Sequence, residues 1–158
     1  MFQSYSSNGF RTKKIMPTTC LLAAFIAMLA LHFSWPLVKL IPPAWGMLGL
    51  LPLVVGLFLN CAADAAFQRA NTTVKPFVQS NALVTEGVYR ISRNPMYLGF
   101  LLILTGMAVL LGSLTPFAVI PVYAFLVHHF FIAVEERMLA QKFGGQWQDY
   151  QQRTRRWL

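Results

Sequence analysis

The sequence predicts an all-α fold, a polytopic membrane helical bundle of about four transmembrane helices with a C-terminal helical hairpin and polar cytoplasmic segments. Of the 158 residues, 56% are apolar and only 11% are charged, whereas a soluble domain has about 25% charged residues. Because so few polar groups cannot cover a water-facing surface, lipid must cover part of it. The chain also contains four long apolar segments, and it lacks the alternating ten-residue pattern typical of membrane strands.

The four apolar segments predict the transmembrane helices one by one. They cover residues 17–37, 45–63, 96–111 and 114–134. A spanning helix needs about 17 to 25 residues, so only the third segment is short. Residues 112–116 read Gly-Ser-Leu-Thr-Pro, which indicates a tight turn. We therefore expect the third and fourth helices to form a hairpin.

The basic residues flank these segments asymmetrically, which predicts the orientation of the chain. They precede helix 1, lie between helices 2 and 3 and follow helix 4, whereas Lys39 alone separates helices 1 and 2. Basic loops stay in the cytoplasm, so we expect both termini and the central connector inside, at the inner or plasma membrane in a bacterial cell. A signal peptide is the alternative for the first segment, but no small-residue cleavage site follows it.

The predicted organisation has three parts. A polar basic tail covers residues 1–16, helices 1 and 2 cover 17–64, and a core covers 65–158 with the connector, helices 3 and 4 and C-terminal cytoplasmic helices. The net charge of +8 favours membrane lipids with anionic headgroups or an anionic ligand as partners. Nucleic acid is not expected, because the basic residues flank membrane spans instead of lining a soluble face. The oligomeric state stays open.

A polar stretch directly precedes the third apolar segment and predicts an anion site. Asn94 suits the N-cap of a helix and Pro95 suits its first position. The first amide N–H groups of such a helix have no partner within it, and its dipole is positive at this end. Arg93 adds a full charge, so the stretch suits a carboxylate or phosphate. The alternative is a plain capped helix with a cytoplasmic arginine.

Glu135 and Glu136 follow the fourth apolar segment without a spacer. Anions at this depth are costly and usually find a partner. No basic residue lies three or four positions further on, since residues 138–140 are Met, Leu and Ala. We therefore expect a partner from elsewhere in the chain, either Arg90 or Arg93, or a cationic ligand. Snorkelling into the headgroups is the alternative.

Metal chemistry is a weak alternative at the same place. His128 and Glu135 are seven residues apart and share a helix face, as do the two residues that follow them. No second spaced ligand pair supports a metal site, and we expect none. Cys20 and Cys61 lack neighbouring histidines and are expected to be apolar packing residues.

Several motifs together resemble those of the isoprenylcysteine carboxyl methyltransferase family, to which the phospholipid N-methyltransferases are related. They read Leu-Val-Thr-Glu-Gly-Val-Tyr at 83–89, Arg-Asn-Pro-Met-Tyr-Leu-Gly at 93–99, Glu-Glu at 135–136 and Phe-Gly-x-x-Trp-x-x-Tyr at 143–150. The resemblance covers residues 79–156, about half of the chain. It implies that cytoplasmic segments before and after the hairpin bind S-adenosylmethionine, which leaves as S-adenosylhomocysteine. The residues implied to bind this cofactor are Gln79, Leu83, Val84, Tyr89, Asn94, Pro95, Met96, Tyr97 and Glu135.

The chain departs from the family pattern at two positions. Asn94 stands where a histidine is usual; it can still form hydrogen bonds, but it cannot titrate near neutral pH. Phe131 stands where eukaryotic members have an arginine tied to the substrate. The identity of the methyl acceptor, an isoprenylcysteine carboxylate or another small lipophilic or lipid molecule, is therefore left open.

The predicted function is an integral membrane methyltransferase of the S-adenosylmethionine-dependent class, acting on a lipophilic acceptor. Glu135, Glu136 and Arg93 are its candidate catalytic residues. One alternative is a non-catalytic membrane protein that binds anionic lipid or a partner at its basic cytoplasmic face. Another is an NADPH enzyme similar to the sterol reductases, although such a cofactor would require more basic residues than Arg90, Arg93 and Lys142.

Overall fold

The computed structural model describes residues 16–70 and 82–158, so the predicted tail before Met16 and the predicted cofactor residue Gln79 lie outside the described residues. Short 3₁₀ turns lie at Met47–Gly49, Gly87–Arg90 and Thr115–Ala118, and a π-helical turn lies at His128–Ile132. The helices of the described part are α1 (Pro17–Ser34), α2 (Pro43–Gly46), α3 (Leu50–Arg69), α4 (Pro95–Leu111), α5 (Val119–Val127), α6 (Ala133–Phe143) and α7 (Gly145–Arg153).

The predicted apolar segments coincide with the long helices. Within the described ranges, three helices are long and apolar enough to span a membrane: Pro17–Ser34, Pro43–Arg69 and Thr115–Phe143. The shorter α4 makes the fourth predicted span. The all-α bundle of about four spans is therefore confirmed. The second and fourth apolar segments continue as helix at their polar ends, as expected: α3 continues to Arg69, and the fourth span continues through α5, the π-helical turn and α6 to Phe143.

The connections 35–42 and 112–114 meet at one end of the bundle. The backbone N–H of Leu40 donates to the Gly112 carbonyl at 2.8 Å, and the N–H of Leu114 donates to Val38 at 3.0 Å. Gly112 has a φ of 71°, a conformation that glycine adopts without the strain caused by a β-carbon. The predicted hairpin turn is confirmed, and the connector and the C-terminal segment lie at the opposite end.

Close packing between α3 and α4 fixes the register of the two helices. Gly49 lies against Gly106, and Gly56 lies against Gly99, so that a β-carbon at any of the four positions would collide with the facing helix. Without side chains, the two backbones approach closely, as small residues allow in membrane helices. α1 packs on the other side, where Ala24 and Met28 join the buried cluster formed by α4 and α5. The bundle thus holds the start of α4 between α3 and the fourth span.

We expect Gly56→Ala to destabilise the protein in detergent by about 1–3 kcal/mol, because overpacking of a tight interface forces the backbone to move. The new β-carbon would lie 2.5 Å from the Gly99 carbonyl oxygen. Thermal unfolding measures the effect. Gly145→Ala is the control, since nothing lies within 4 Å of a β-carbon there; equal melting temperatures for the two variants would contradict the packing described.

Candidate active site

Opposite charges converge on Glu136 at the end of the bundle away from the hairpin turn. The carboxylate lies 3.4 Å from Arg93 Nη2, and it accepts a hydrogen bond of 3.1 Å from Arg156 Nε and a second one from Arg156 Nη2. Glu136 is only 8% exposed, so this pairing compensates for the loss of water around its charge. A partner from outside its own helix was predicted, and Arg93 is that partner; Arg90 is exposed instead.

The C-terminal segment folds back onto the residues that precede α4. The N–H of Arg93 donates to the Arg155 carbonyl at 2.9 Å. Ser92 Oγ and Asn94 Nδ2 each donate to the Arg156 carbonyl at 3.2 Å. Trp157 also packs against the core, although Trp beside Arg at a chain end is more typical of an anchor in the membrane interface. The segment therefore forms one wall of the site.

The start of α4 is not capped as the sequence suggests. Asn94 does precede Pro95 at the N-cap position, but its side chain makes no capping hydrogen bond because the amide is used on Arg156. The prediction of the position is right and the prediction of the cap bond is wrong. The first N–H groups of α4 thus keep the unsatisfied donors and the positive dipole end that suit an anion.

Glu135 faces a different partner from its neighbour. Its Oε1 accepts a hydrogen bond of 2.9 Å from the Tyr97 hydroxyl, and the Tyr97 ring contacts Phe131 with ring centroids 6.4 Å apart. Successive residues of a helix point about 100° apart, so Glu135 faces α4 while Glu136 faces the C-terminal segment. The π-helical turn before α6 inserts one residue per turn relative to an α-helix, and it helps to set which carboxylate faces which wall.

Aromatic side chains of α3, the connector and α7 form a further wall of the site. Tyr150 Oη donates to the Tyr89 carbonyl at 2.7 Å, and the Tyr89 ring meets Phe67 of α3 edge to face at 5.4 Å. The Arg93 guanidinium lies 5.8 Å from the centre of the Trp147 ring, a distance that suits a cation–π contact. α7 and the connector are therefore joined through Tyr150 and Trp147, both of which are buried.

Burial and nearby charges shift the pKa values of three groups in this region. Burial raises the pKa of Tyr150, and the positive charge of Arg93 partly opposes that shift. Burial also raises the pKa of Tyr89, and its electrostatic interactions with Tyr150, Glu135 and Asp64 raise it further. The hydrogen bond to Glu136 raises the pKa of Arg156. Both tyrosines therefore stay neutral donors at physiological pH, and Arg156 stays charged.

The remaining predicted residues are not all gathered in one place. Pro95 and Tyr97 are buried at the start of α4, while Met96 and Val84 are half-buried. Leu83 lines an open cleft of about 640 Å³ between the connector and α7, and none of the other predicted cofactor residues within 82–158 lines this cleft. Arg156 was missed, because three arginines stand close together at 153–156 and nothing in their pattern distinguishes the one that meets Glu136.

The histidines near the glutamates do not form a metal site with them. Among residues 16–70 and 82–158, no group of three His, Cys, Asp or Glu side chains is arranged to hold a metal ion. The exposed ring of His129 stacks on Phe125, with ring centroids 6.0 Å apart. Cys20 is half-buried against the core and Cys61 is exposed, and both are free thiols.

With this geometry established, comparison with known proteins identifies the family. A family model described as phospholipid methyltransferase matches residues 45–146, more than half of the chain. The chain belongs to the phospholipid methyltransferase family. Together with its long apolar helices, membership of this family makes it an integral membrane protein.

Several curated proteins related to this chain are named as isoprenylcysteine methyltransferases, which confirms the resemblance found in the motifs. Protein-S-isoprenylcysteine O-methyltransferase B of Arabidopsis thaliana is 43% identical over 79 residues, which cover 48% of this chain and 39% of that protein. The A form of the same plant is 36% identical over 107 residues, 65% of this chain and 53% of that protein. The Mus musculus enzyme is 33% identical over 146 residues, 87% of this chain and 49% of that protein.

The chain thus spans between 39% and 53% of the length of these three relatives. No solved structure matches it at a significant level.

We expect Arg156→Gln to destabilise this family member in detergent by about 1–3 kcal/mol, because a buried carboxylate then loses its closest partner. Thermal unfolding and hydrogen exchange at residues 92–94 measure the effect. Arg155→Gln is the matched control: its side chain is exposed, and only its backbone carbonyl binds Arg93. If both substitutions lowered the melting temperature equally, the pairing with Glu136 would not explain the loss.

Proposed function

We propose that the chain is a membrane methyltransferase that uses S-adenosylmethionine and acts on a lipophilic acceptor. One observation carries the proposal: the carboxylate of Glu135, bound to the Tyr97 hydroxyl at 2.9 Å, stands beside a helix start that has no side-chain cap. An acceptor suited to the positive groups of such a cofactor and N–H donors suited to its carboxylate are thus next to each other. Membership of a methyltransferase family supports the same reading.

The donor set fits the cofactor group by group. The free N–H groups after Asn94 and Pro95 suit its carboxylate. The oxygens of Glu135 suit its ribose hydroxyls or its positive charge, and the rings of Tyr89 and Tyr97 suit its purine. Met96, Leu83, Val84 and Gln79 complete the proposed pocket as apolar and polar wall residues.

When bound, S-adenosylmethionine supplies an electrophilic methyl group on a positively charged sulfur. The chain's own residues position the methyl donor and the acceptor and exclude water from the site. Positioning alone can lower the activation free energy by several kcal/mol without an acid or base. Glu135 is then the catalytic candidate that touches the cofactor. Glu136 and Arg93 bind each other at 3.4 Å, so we assign them a positioning role in place of the direct catalytic role expected from the sequence.

The acceptor enters from the membrane side in this proposal, and its class follows from the residues there. Phe131 packs on Tyr97, so an apolar ring stands at the point where the site meets the bundle core. Both Arg93 and Arg156 are paired with Glu136. A lipophilic acceptor that does not depend on a dedicated cation therefore fits best, and the names of the relatives point to an isoprenylcysteine as one such acceptor.

The orientation in the membrane is part of the proposal. The site, α7 and the C-terminal arginines lie at the end of the bundle opposite the loop that carries Lys39. Because basic segments stay in the cytoplasm, we propose that the site opens to the cytosol and that both termini are cytoplasmic. A second candidate function, non-catalytic binding of anionic lipid, is favoured by the exposed residues Arg137, Arg153 and Arg155.

Calorimetry of the purified protein in detergent separates these functions. We expect saturable binding of S-adenosylmethionine and S-adenosylhomocysteine and no binding of NADPH. Binding of NADPH alone would point to a reductase, and silence from all three ligands would leave anionic-lipid binding as the better function.

We expect Tyr97→Phe to weaken the binding of S-adenosylmethionine about tenfold, because Glu135 loses the hydrogen bond that orients it, worth about 1–1.5 kcal/mol. Tyr123→Phe is the matched control. The Tyr123 hydroxyl is buried, and no hydrogen-bond partner for it is found in the described part of the chain, so its removal should leave binding unchanged. Normal binding by the Tyr97 variant would place the pocket elsewhere.

A further inference from the structure

The end of α3 next to the candidate site carries one acid, Asp64, in an otherwise apolar stretch. Its side chain is half-buried. Its hydrogen bond comes from Gln68 Nε2, which lies 2.7 Å from Oδ2 on the following turn of the same helix. Within residues 16–70 and 82–158, no lysine, arginine or histidine forms an ion pair with it. A charged group so near the membrane interface usually has a partner of opposite charge. The described residues do not supply such a partner for Asp64.

The packing of α3 on α4 places Asp64 beside the start of α4. The pairs formed by Gly49 with Gly106 and by Gly56 with Gly99 define an antiparallel register. In this register, Asp64 is level with Ile91, which lies four residues before Pro95, the first residue of α4. Asn60, one turn earlier on the same face of α3, already lies against Gly99. Asn60 is level with Pro95, so Asp64 lies about one helical turn beyond the start of α4, on the side from which a ligand would approach its first N–H groups.

Tyr89 connects Asp64 with the acid on the other side of the site. Its ring contacts Phe67, which is one turn after Asp64 on the same face of α3. Asp64 and Glu135 both act electrostatically on the Tyr89 phenol. The residue is 6% exposed, and its backbone oxygen accepts the hydrogen bond from Tyr150, so Tyr89 is held against Phe67 of α3 and Tyr150 of α7.

Two carboxylates near Tyr89 have no ion-pair partner in the described ranges. Glu136 already binds both Arg93 and Arg156. The two other carboxylates, Asp64 and Glu135, are without an ion-pair partner in the described ranges; Tyr97 donates a neutral hydrogen bond to one of them. Two carboxylates that both act on the same phenol, each without an ion-pair partner in the described ranges, favour a positively charged ligand.

We propose that Asp64 binds the α-ammonium group of the methyl donor, an inference that rests on the proposed function. The α-carboxylate of that donor suits the start of α4, and the ammonium is attached to the same carbon. Its partner must therefore lie within reach of the first turn of α4 and come from another direction. Asp64 meets this condition by register, while Glu135 stays available for the ribose or the sulfonium.

Three ligands that share an adenosine part test the assignment by calorimetry on the full chain in detergent. S-adenosylmethionine and S-adenosylhomocysteine carry the ammonium, whereas 5′-methylthioadenosine lacks the amino-acid part. We expect Asp64→Asn to weaken the binding of the first two about tenfold or more, as loss of a charge-assisted hydrogen bond does, and to leave the third within twofold.

Matched variants separate a charge effect from a structural one. Asp64→Glu keeps the carboxylate and should retain most of the affinity. Gln68→Leu removes the hydrogen bond to Asp64 but keeps the charge, so it should bind all three ligands normally. Asp149→Asn removes an exposed acid of the cleft beside α7 and should also change nothing. Melting temperatures without ligand show that each variant is folded.

The outcomes distinguish this inference from the proposed function. If the wild-type protein binds none of the three ligands, the proposed function fails and the role of Asp64 fails with it. If the wild-type protein binds them and folded Asp64→Asn binds them equally well, only the role of Asp64 is overturned. An equal loss for all three ligands assigns Asp64 to the adenosine part, and a loss for S-adenosylmethionine alone assigns it to the sulfonium; both contradict the proposal.

Discussion

The structure at the proposed cytoplasmic end depends on one buried carboxylate. Glu136 joins three segments that are far apart in sequence, because Arg93 precedes α4, Glu136 belongs to α6 and Arg156 belongs to the C-terminal segment. A buried charge is stable only when its partners are in place, so this carboxylate requires the connector and the C-terminal segment to dock together. The backbone bonds of residues 92–94 to 155 and 156 follow from that docking.

This arrangement leaves the neighbouring carboxylate for function. Adjacent residues on a helix point in different directions, and with Glu136 occupied by two arginines, Glu135 is directed to Tyr97 and the start of α4. One residue of the pair thus binds the C-terminal segment, and the other faces the start of α4. The division explains how this chain holds an acidic pair at the end of a membrane helix, where unpaired acids would be costly.

The membrane part contributes through its register. Glycines on α3 and α4 allow the backbones to touch, and the same contacts fix which residues of α3 stand level with the start of α4. Asp64 and Phe67 are placed at the end of α3 near the start of α4 in this way, and Tyr89 lies against Phe67 from the connector. A helix that otherwise faces lipid therefore shapes a polar site at its end.

The sequence by itself determined the spans, the hairpin and the end of the bundle that carries the polar residues. Hydropathy, the Gly112 turn and the Asn94–Pro95 helix start are local properties, and short-range physics fixes them. The acidic pair was also predictable as a group in need of a partner, since its own helix supplies none.

Only the tertiary structure decided which partners meet. The path of the C-terminal segment brings Arg156, and not the neighbouring arginines, to Glu136. The side-chain amide of Asn94 donates to that segment instead of capping α4. The π-helical turn at His128–Ile132, which has no clear sequence signature, helped to set the directions of Glu135 and Glu136. Asp64 drew no attention in the sequence, because its position depends on the register of two helices, and register arises from packing over many residues.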